Sequence, residues 1–432
     1  MREEPREKAR DRVLVVGTTW DYIALVEERM PGRAVFLTDP QERQKAPWKV
    51  PPDKDEILQD LTRYDDVVDA VRSHVNQYKI HFTGIACFDC ESMALAALLG
   101  EAFSLKYPSP AAVAACRSKF ESKRRWIAAN LPCPQVALAA KDQDALAFMK
   151  RIAGPVVLKP LCGSGSELTF ACHDSKELLR GMDSVRQGLS SRSGHRMYIA
   201  EGKEDPSEVF VLEEWVEGRE YSCDFIIQEA NVIILRLARK VLSREQSFGT
   251  TLAYLIPAEI PHVLDHGRFY DQLACCAHAL GMNEALCMVD FIVRDGQACF
   301  LELAPRPGGD CIPFLVRECC GLDTIEAMID FAEGKRIHIP SLEQWKRLAG
   351  VRLLADRAGR VARLDDRAIQ EDPRVLDCHF RVGQGHEIVL PPQDYDSRVL
   401  GYVIMKPNCW EDADSECLEV ADKLDVILEQ GT

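Results

Sequence analysis

No stretch of the 432-residue sequence reaches the roughly 20 consecutive apolar residues of a membrane-spanning helix, so no membrane segment is predicted. Positive charge is in deficit: 53 Lys and Arg stand against 68 Asp and Glu, a formal net charge of −15. This argues against a general nucleic-acid binder, which carries a basic face. It leaves a local anion site open, because net charge says little about one cleft. The opening segment, MREEPREKAR, is charged where a secretory leader would be apolar. No repeat of fixed period and no long low-complexity tract occurs. Apolar residues make up 47%, which excludes an intrinsically disordered chain. The length predicts two to four structural units.

Cysteine is abundant, at 17 residues, but lacks a pattern. Cys87 and Cys90 form one C-x-x-C with no second pair at zinc spacing. The adjacent pairs Cys275-Cys276 and Cys319-Cys320 lie in helix-like runs. The thiols read as small buried hydrophobes in a reducing, cytoplasmic setting.

Along the chain, RVLVVG (12–17), AVFLTD (34–39) and GIACF (84–88) read as buried parallel strands alternating with helices at Tyr64 to Tyr78 and at 91–100. This predicts a doubly wound α/β domain over 1–115, with 1–11 as a solvated leader. Its first turn lacks G-x-G-x-x-G, so dinucleotide binding is not expected. One basic helix, CRSKFESKRRWIAANL, opens a second unit over 116–335. The polar stretch 188–208 predicts a mobile loop. The tail, 336–432, alternates strands and turns and reads as a third, α+β unit. The fold class is thus a multidomain mixture of α/β and α+β.

The chemistry-bearing residues cluster in the second unit. Lys159 sits near the end of the strand VVLKP, and Gly163-Ser164-Gly165-Ser166 follows. Glycines let backbone N–H groups approach phosphate oxygens, hydroxyls add donors, and the lysine adds a charge. The P-loop spacing G-x-x-x-x-G-K-[ST] is missing, and a plain flexible turn stays open as the alternative.

Asp290 and Glu302 interrupt two apolar strands joined by Arg294-Asp295-Gly296. A two-residue loop would put them on opposite faces. A three-residue loop with Gly296 left-handed would set Asp290 opposite Phe300, with Glu302 its diagonal neighbour about 7–8 Å away. The second register predicts a site for a hard divalent cation such as magnesium, which also takes phosphate oxygens. Two unrelated surface acids remain the alternative, weakened by the apolar context. Arg306 shares strand parity with Glu302. It would neutralise a transferring phosphoryl group, or else pair with one of the acids.

In this order, the motifs CRSKFESKRRW, VVLKP with its Gly-Ser loop, VLEEWVEGREYSCDF, MVDFIV and LELAPRPGGD resemble the ATP-grasp superfamily of carboxylate–amine ligases. The resemblance runs through most of the chain. It implies a Rossmann-like N-terminal domain, a two-lobed grasp domain with a lid over about 156–212, and a tail resembling the C-terminal part of biotin carboxylases. It implies that Lys119 and Lys159 contact ATP phosphates and that Gly163 to Ser166 closes over them. Glu213, Glu214, Trp215 and Val216 would form the hinge at adenine, and Glu220 would meet the ribose. Asp290 and Glu302 would hold magnesium, with manganese an alternative, and Arg306 would steady an acyl phosphate.

Two positions depart from the family. Asp290 stands where many members have Glu, and Ala304 where most have a coordinating Asn. The E-x-A-x-R pattern resembles the L-amino-acid (dipeptide) ligase branch, in which the segment at Gly308 and Gly309 helps bind the amino acid. Biotin carboxylase-like and glycinamide ribonucleotide synthetase-like branches, and a non-catalytic ATP-binding protein, remain alternatives. Arg239 and Lys240 are expected either at a substrate carboxylate or on a solvated face. His262 is expected either at the substrate border or as an ordinary surface or core histidine. Small carboxylate and amine substrates are the expected partners, and a homodimer stays open.

Overall fold

The computed structural model describes residues 10–45, 51–192, 194–199, 208–243, 245–262 and 264–429. Most of the expected leader and part of the expected 188–208 loop lie outside these residues.

The first layer is a parallel sheet of β1 (Arg10–Val16), β2 (Ala34–Thr38), β3 (Glu56–Leu58) and β4 (Ile80–Ala86), in the order β3-β2-β1-β4. Its strands are near-continuous apolar runs because helices cover the sheet. These include α1 (Trp20–Arg29), α3 (Tyr64–Tyr78) and α4 (Met93–Phe103), while the short α2 (Pro40–Lys45) buries no side chain. Gly100 does not close α4, which runs on to a left-handed Ser104. The expected basic helix is two helices, α5 (Pro110–Arg117) and α6 (Lys119–Ala128). Ser118 breaks it by accepting the Glu121 N–H at 3.2 Å as an N-cap. The expected border at 115/116 therefore falls inside α5.

A small antiparallel sheet follows. It joins β5 (Val136–Ala139), β6 (Val156–Pro160), β7 (Phe170–Cys172) and β8 (Phe210–Glu214) in the order β5-β8-β6-β7. The helices α7 (Asp142–Ile152) and α8 (Ser175–Ser191) belong to the same lobe. The lobe is wider than the expected 156–212, because β5 pairs with β8 along Val136 to Ala139.

The large sheet begins with β9 (Arg219–Gln228), β10 (Asn231–Leu242) and β11 (Thr251–Ile256). After α9 (His266–Ala279) come β12 (Glu284–Arg294) and β13 (Gln297–Ala304). Two helices, α10 (Ile312–Cys320) and α11 (Thr324–Ala332), return to the first layer, where α11 lies on β4. Gly84 allows this approach, since a Cβ there would meet the Ala332 carbonyl oxygen at 2.2 Å. Ion pairs from Arg29 to Asp323 and from Arg33 to Asp330, both 2.6 Å, fasten α11 from the α1 side.

The tail contains β14 (Leu348–Leu354), β15 (Gly359–Asp365), α12 (Arg367–Gln370), β16 (Val375–Phe380), β17 (Glu387–Ile388), β18 (Val399–Met405), α13 (Ala413–Ala421) and β19 (Asp425–Leu428). It does not build a sheet apart. Three of its strands extend the large sheet, whose order is β13-β12-β9-β10-β11-β14-β18-β16. Only β17-β15-β19 form a small sheet of their own. Val241, Ala253 and Leu255 share one apolar cluster with Val351, Leu353 and Val403, so the core is continuous across the expected border at 335.

Candidate active site

Between the lid lobe and one face of the large sheet lies a cleft of about 560 Å³, within the range of small-molecule sites. Strand parity explains its lining. Asp290 pairs with Ser222, Lys240 with Tyr254, and Tyr254 with Gly350, so Asp290, Lys240, Tyr254 and Arg352 project from the same face.

The hairpin that carries the acids resolves the register. Asp295 and Gly296 both have positive φ, 51° and 71°, and Arg294 pairs with Gln297. This is the two-residue turn. Without further change it would place the acids on opposite faces. Leu301 bulges, however, and Asp290 pairs directly with Glu302. The diagonal arrangement expected from a three-residue loop is therefore replaced by a directly opposed pair. The bulged Leu301 carbonyl accepts a hydrogen bond from Lys123 Nζ.

Lys123 is one residue the motif reading missed. Its side chain is buried, and its Nζ lies 2.9 Å from Glu213 Oε1. Lys159 Nζ lies 2.6 Å from Glu213 Oε2. Burial alone would raise the Glu213 carboxyl, but Lys123 and Lys159 outweigh it and hold the group at about 2. Burial works to lower the Lys159 ammonium, while Glu213, Glu302 and Glu220 raise it overall. Lys119 differs: burial lowers its ammonium despite Glu302. Its Nζ donates to the Gly163 carbonyl at 2.5 Å, which ties α6 to the Gly-Ser loop. In that loop Gly165 and Ser166 have φ of 65° and 58°, and Ser166 Oγ donates to the Gly249 carbonyl at 3.0 Å. Gly163, Ser164 and Gly165 border the cleft.

At the end of β8, Glu214 is held by Arg294 at 2.7 Å, and Trp215 packs on Phe248 with ring centroids 5.1 Å apart. Trp215 and Val216 line the cleft. Glu220 and Asp290 both hold Lys240, whose Nζ lies 2.6 and 2.5 Å from their oxygens. Burial works to lower the Lys240 ammonium, but Asp290 and Glu220 raise it well above its ordinary value.

Asp290 Oδ1 is buried without a hydrogen-bond partner. One bare carboxylate oxygen beside Glu302 fits a divalent cation that completes its shell with phosphate oxygens and water. Ala304 adds no ligand. Among the described residues no cluster of three or more His, Cys, Asp or Glu side chains could hold a metal by itself.

Arg306 donates through Nε to Cys90 Sγ at 3.1 Å and through Nη1 to the Pro307 carbonyl at 2.8 Å. It borders the cleft and does not pair with either acid. Cys90 and Met93, which follow the end of β4, both line the cleft. The first sheet thus reaches the cleft at the carboxyl end of β4, the usual ligand position of such sheets. Cys162 and Cys311, by contrast, are buried. Among the described residues no disulfide is formed.

Gly308 and Gly309 line the cleft. The Gly308 N–H donates to both Asp224 oxygens, at 3.1 and 3.0 Å, and Asp224 holds the buried Arg236 at 2.6 Å. Two expected substrate residues do not come to the site. Arg239 has the opposite parity to Lys240 and pairs with Asp414 on α13 at 2.6 Å. His262 is 93% exposed on a loop, with Glu259 3.9 Å away. Arg352 and Asp310 were not singled out, yet both border the cleft.

Residues 152–314 match the ATP-grasp domain family. The whole chain is similar in fold to an L-amino acid ligase from Bacillus licheniformis, with a TM-score of 0.78 and 18% identity, covering 98% of this chain and 100% of that one. In sequence it is similar to the uncharacterized protein y4rH of Sinorhizobium fredii, 26% identical over 332 residues, which is 75% of this chain and 63% of the relative. It is also similar to dapdiamide A synthase of Enterobacter agglomerans, 20% identical over 267 residues, 61% of this chain and 59% of the relative. The matches thus span 63% and 59% of these curated relatives. No described helix is long and apolar enough to cross a membrane.

Proposed function

We propose that the protein is an ATP-dependent carboxylate–amine ligase. It joins a small carboxylate, such as an L-amino acid, to an amine through an acyl phosphate and releases ADP and phosphate. The observation that carries this reading is one cleft that gathers the expected groups. Lys159 and the Gly-Ser loop come from the small-sheet lobe, Asp290 and Glu302 from the large sheet, and Lys119 and Arg306 line the same cleft. The L-amino acid ligase and dapdiamide A synthase among the similar proteins support an amide-forming role.

In this reading Lys119, Lys159 and the loop hold the ATP phosphates, and the Trp215–Val216 hinge meets the adenine. Asp290 and Glu302 would hold magnesium or manganese, which when bound offsets phosphate charge. A carboxylate oxygen attacks the γ-phosphorus in line and ADP leaves. The amine then attacks the acyl carbon and phosphate leaves with that oxygen. Arg306, tethered by neutral partners, is free to face the charge on the transferring group. The lid excludes water, which would otherwise hydrolyse the acyl phosphate.

The test incubates the protein with Mg-ATP and pools of small carboxylates and amines, and searches by mass spectrometry for condensation products. An amide formed with one ADP per product is the expected result. AMP as the nucleotide product, or bound ATP with no turnover on any pool, overturns the reading.

A further inference from the structure

At the end of the cleft beyond Gly308 and Gly309, one acid and one base stand side by side. Arg352, on β14, reaches Asp310 with Nε 2.8 Å from Oδ2. That contact is not aligned as a hydrogen bond, and the buried Nε–H has no acceptor. Nη1 donates to the Thr251 carbonyl at 3.0 Å. Burial works to lower the guanidinium, while Asp310 and Tyr254 raise it overall. Asp310 has φ of 61°, a left-handed backbone that residues with a Cβ seldom adopt. Behind Arg352, the buried Arg398 is bonded to neutral oxygens, Gln246 Oε1 at 2.7 Å and Thr250 Oγ1 at 3.0 Å.

An ion pair at such a partly exposed position contributes little net stability. This one, poorly aligned and bordering the cleft, presents a carboxylate and a guanidinium together. That is the complement of a zwitterion, and a guanidinium is well suited to a carboxylate.

We propose that Asp310 and Arg352 form a subsite for the zwitterionic end of an α-amino acid. Arg352 takes the carboxylate and Asp310 the ammonium. Because its carboxylate is held by Arg352 and not offered to ATP, the amino acid bound here is the one that supplies the amine. The role in turnover rests on the ligase reading; the recognition chemistry does not.

The experiment is calorimetric binding of the proteinogenic L-amino acids and their carboxamides to the full chain loaded with magnesium and a non-hydrolysable ATP analogue. Wild type should bind at least one amino acid more tightly than its carboxamide. Arg352→Gln should weaken the amino acid about tenfold or more and leave the carboxamide unchanged. Asp310→Asn should weaken both, since both carry the ammonium. Arg352→Lys should recover part of the loss. Should Arg352→Gln lose nucleotide binding, and with it the fold of the cleft, Asp310→Asn decides. No amino-acid binding by wild type, or unchanged affinity in both variants, overturns the subsite. ADP release on other carboxylates without amino-acid binding would sink the subsite and spare the ligase reading. Amino-acid binding with no turnover would do the reverse.

Discussion

The ammonium of Lys240 lies 2.5 Å from Asp290 and 2.6 Å from Glu220, inside the cleft. It compensates acids that a bound cation would otherwise have to neutralise. Lys240→Met removes the ion-pair partner of both carboxylates and leaves Glu220 only the more distant Lys159. It should lower the stability of the nucleotide-free protein by about 3 kcal/mol, as breaking a buried pair does. Added magnesium should then raise the melting temperature more in the variant than in wild type. Thermal scans with and without magnesium read both effects, and equal shifts would remove Lys240 from this role.

Glu213 joins two lysines, and its folded-state carboxyl is held near 2 against an ordinary 4.5. The folded state therefore releases this proton more readily than the unfolded one. The stabilisation is complete above about pH 4.5 and is lost as pH falls towards 2. Glu213→Gln should destabilise the protein at pH 7 and flatten the part of the acid limb that this group supplies. Urea titrations at several pH values measure it.

Gly308 is sterically committed. A Cβ there would lie 2.3 Å from Arg236 Nη2 and 3.2 Å from Ile312 Cδ1. Arg236 is fully buried on Asp224 and has nowhere to retreat. Gly308→Ala should cost about 1–3 kcal/mol. Gly309→Ala, whose Cβ meets nothing nearer than 3.8 Å, should cost far less. Paired denaturation curves separate the two.

Arg306 contacts only Cys90 and a backbone carbonyl among the described residues, so its removal breaks no ion pair. Arg306→Ala should retain ATP binding and lower the rate of amide formation by about 100-fold or more. Binding calorimetry alongside single-turnover assays checks this, and unchanged product formation would refute the assignment.

Much of this site was legible because charge interrupts apolar strands. Asp290, Glu302 and Lys159 stand out that way, and the Gly-Ser loop follows the lysine directly. What was not legible depended on long-range packing. The bulge at Leu301 shifts parity by one residue and leaves no local mark, so the loop length alone misled. Lys123 looked like one more cation of a basic helix until β8 brought Glu213 beside it. Arg352 lies in a tail that reads as a separate unit, but β14 pairs with β11 and carries the residue onto the cleft face. Arg239 and His262 were drawn in by sequence proximity to site segments, which says nothing of strand face or loop direction.

The central claim, acyl-phosphate formation in this cleft, is tested most directly by isotope transfer. A carboxylate substrate labelled with oxygen-18 is incubated with Mg-ATP and an amine, and the released phosphate is examined by mass spectrometry. The account predicts one labelled oxygen in phosphate for each amide formed. Label in AMP, or amide formed with unlabelled phosphate, would contradict it.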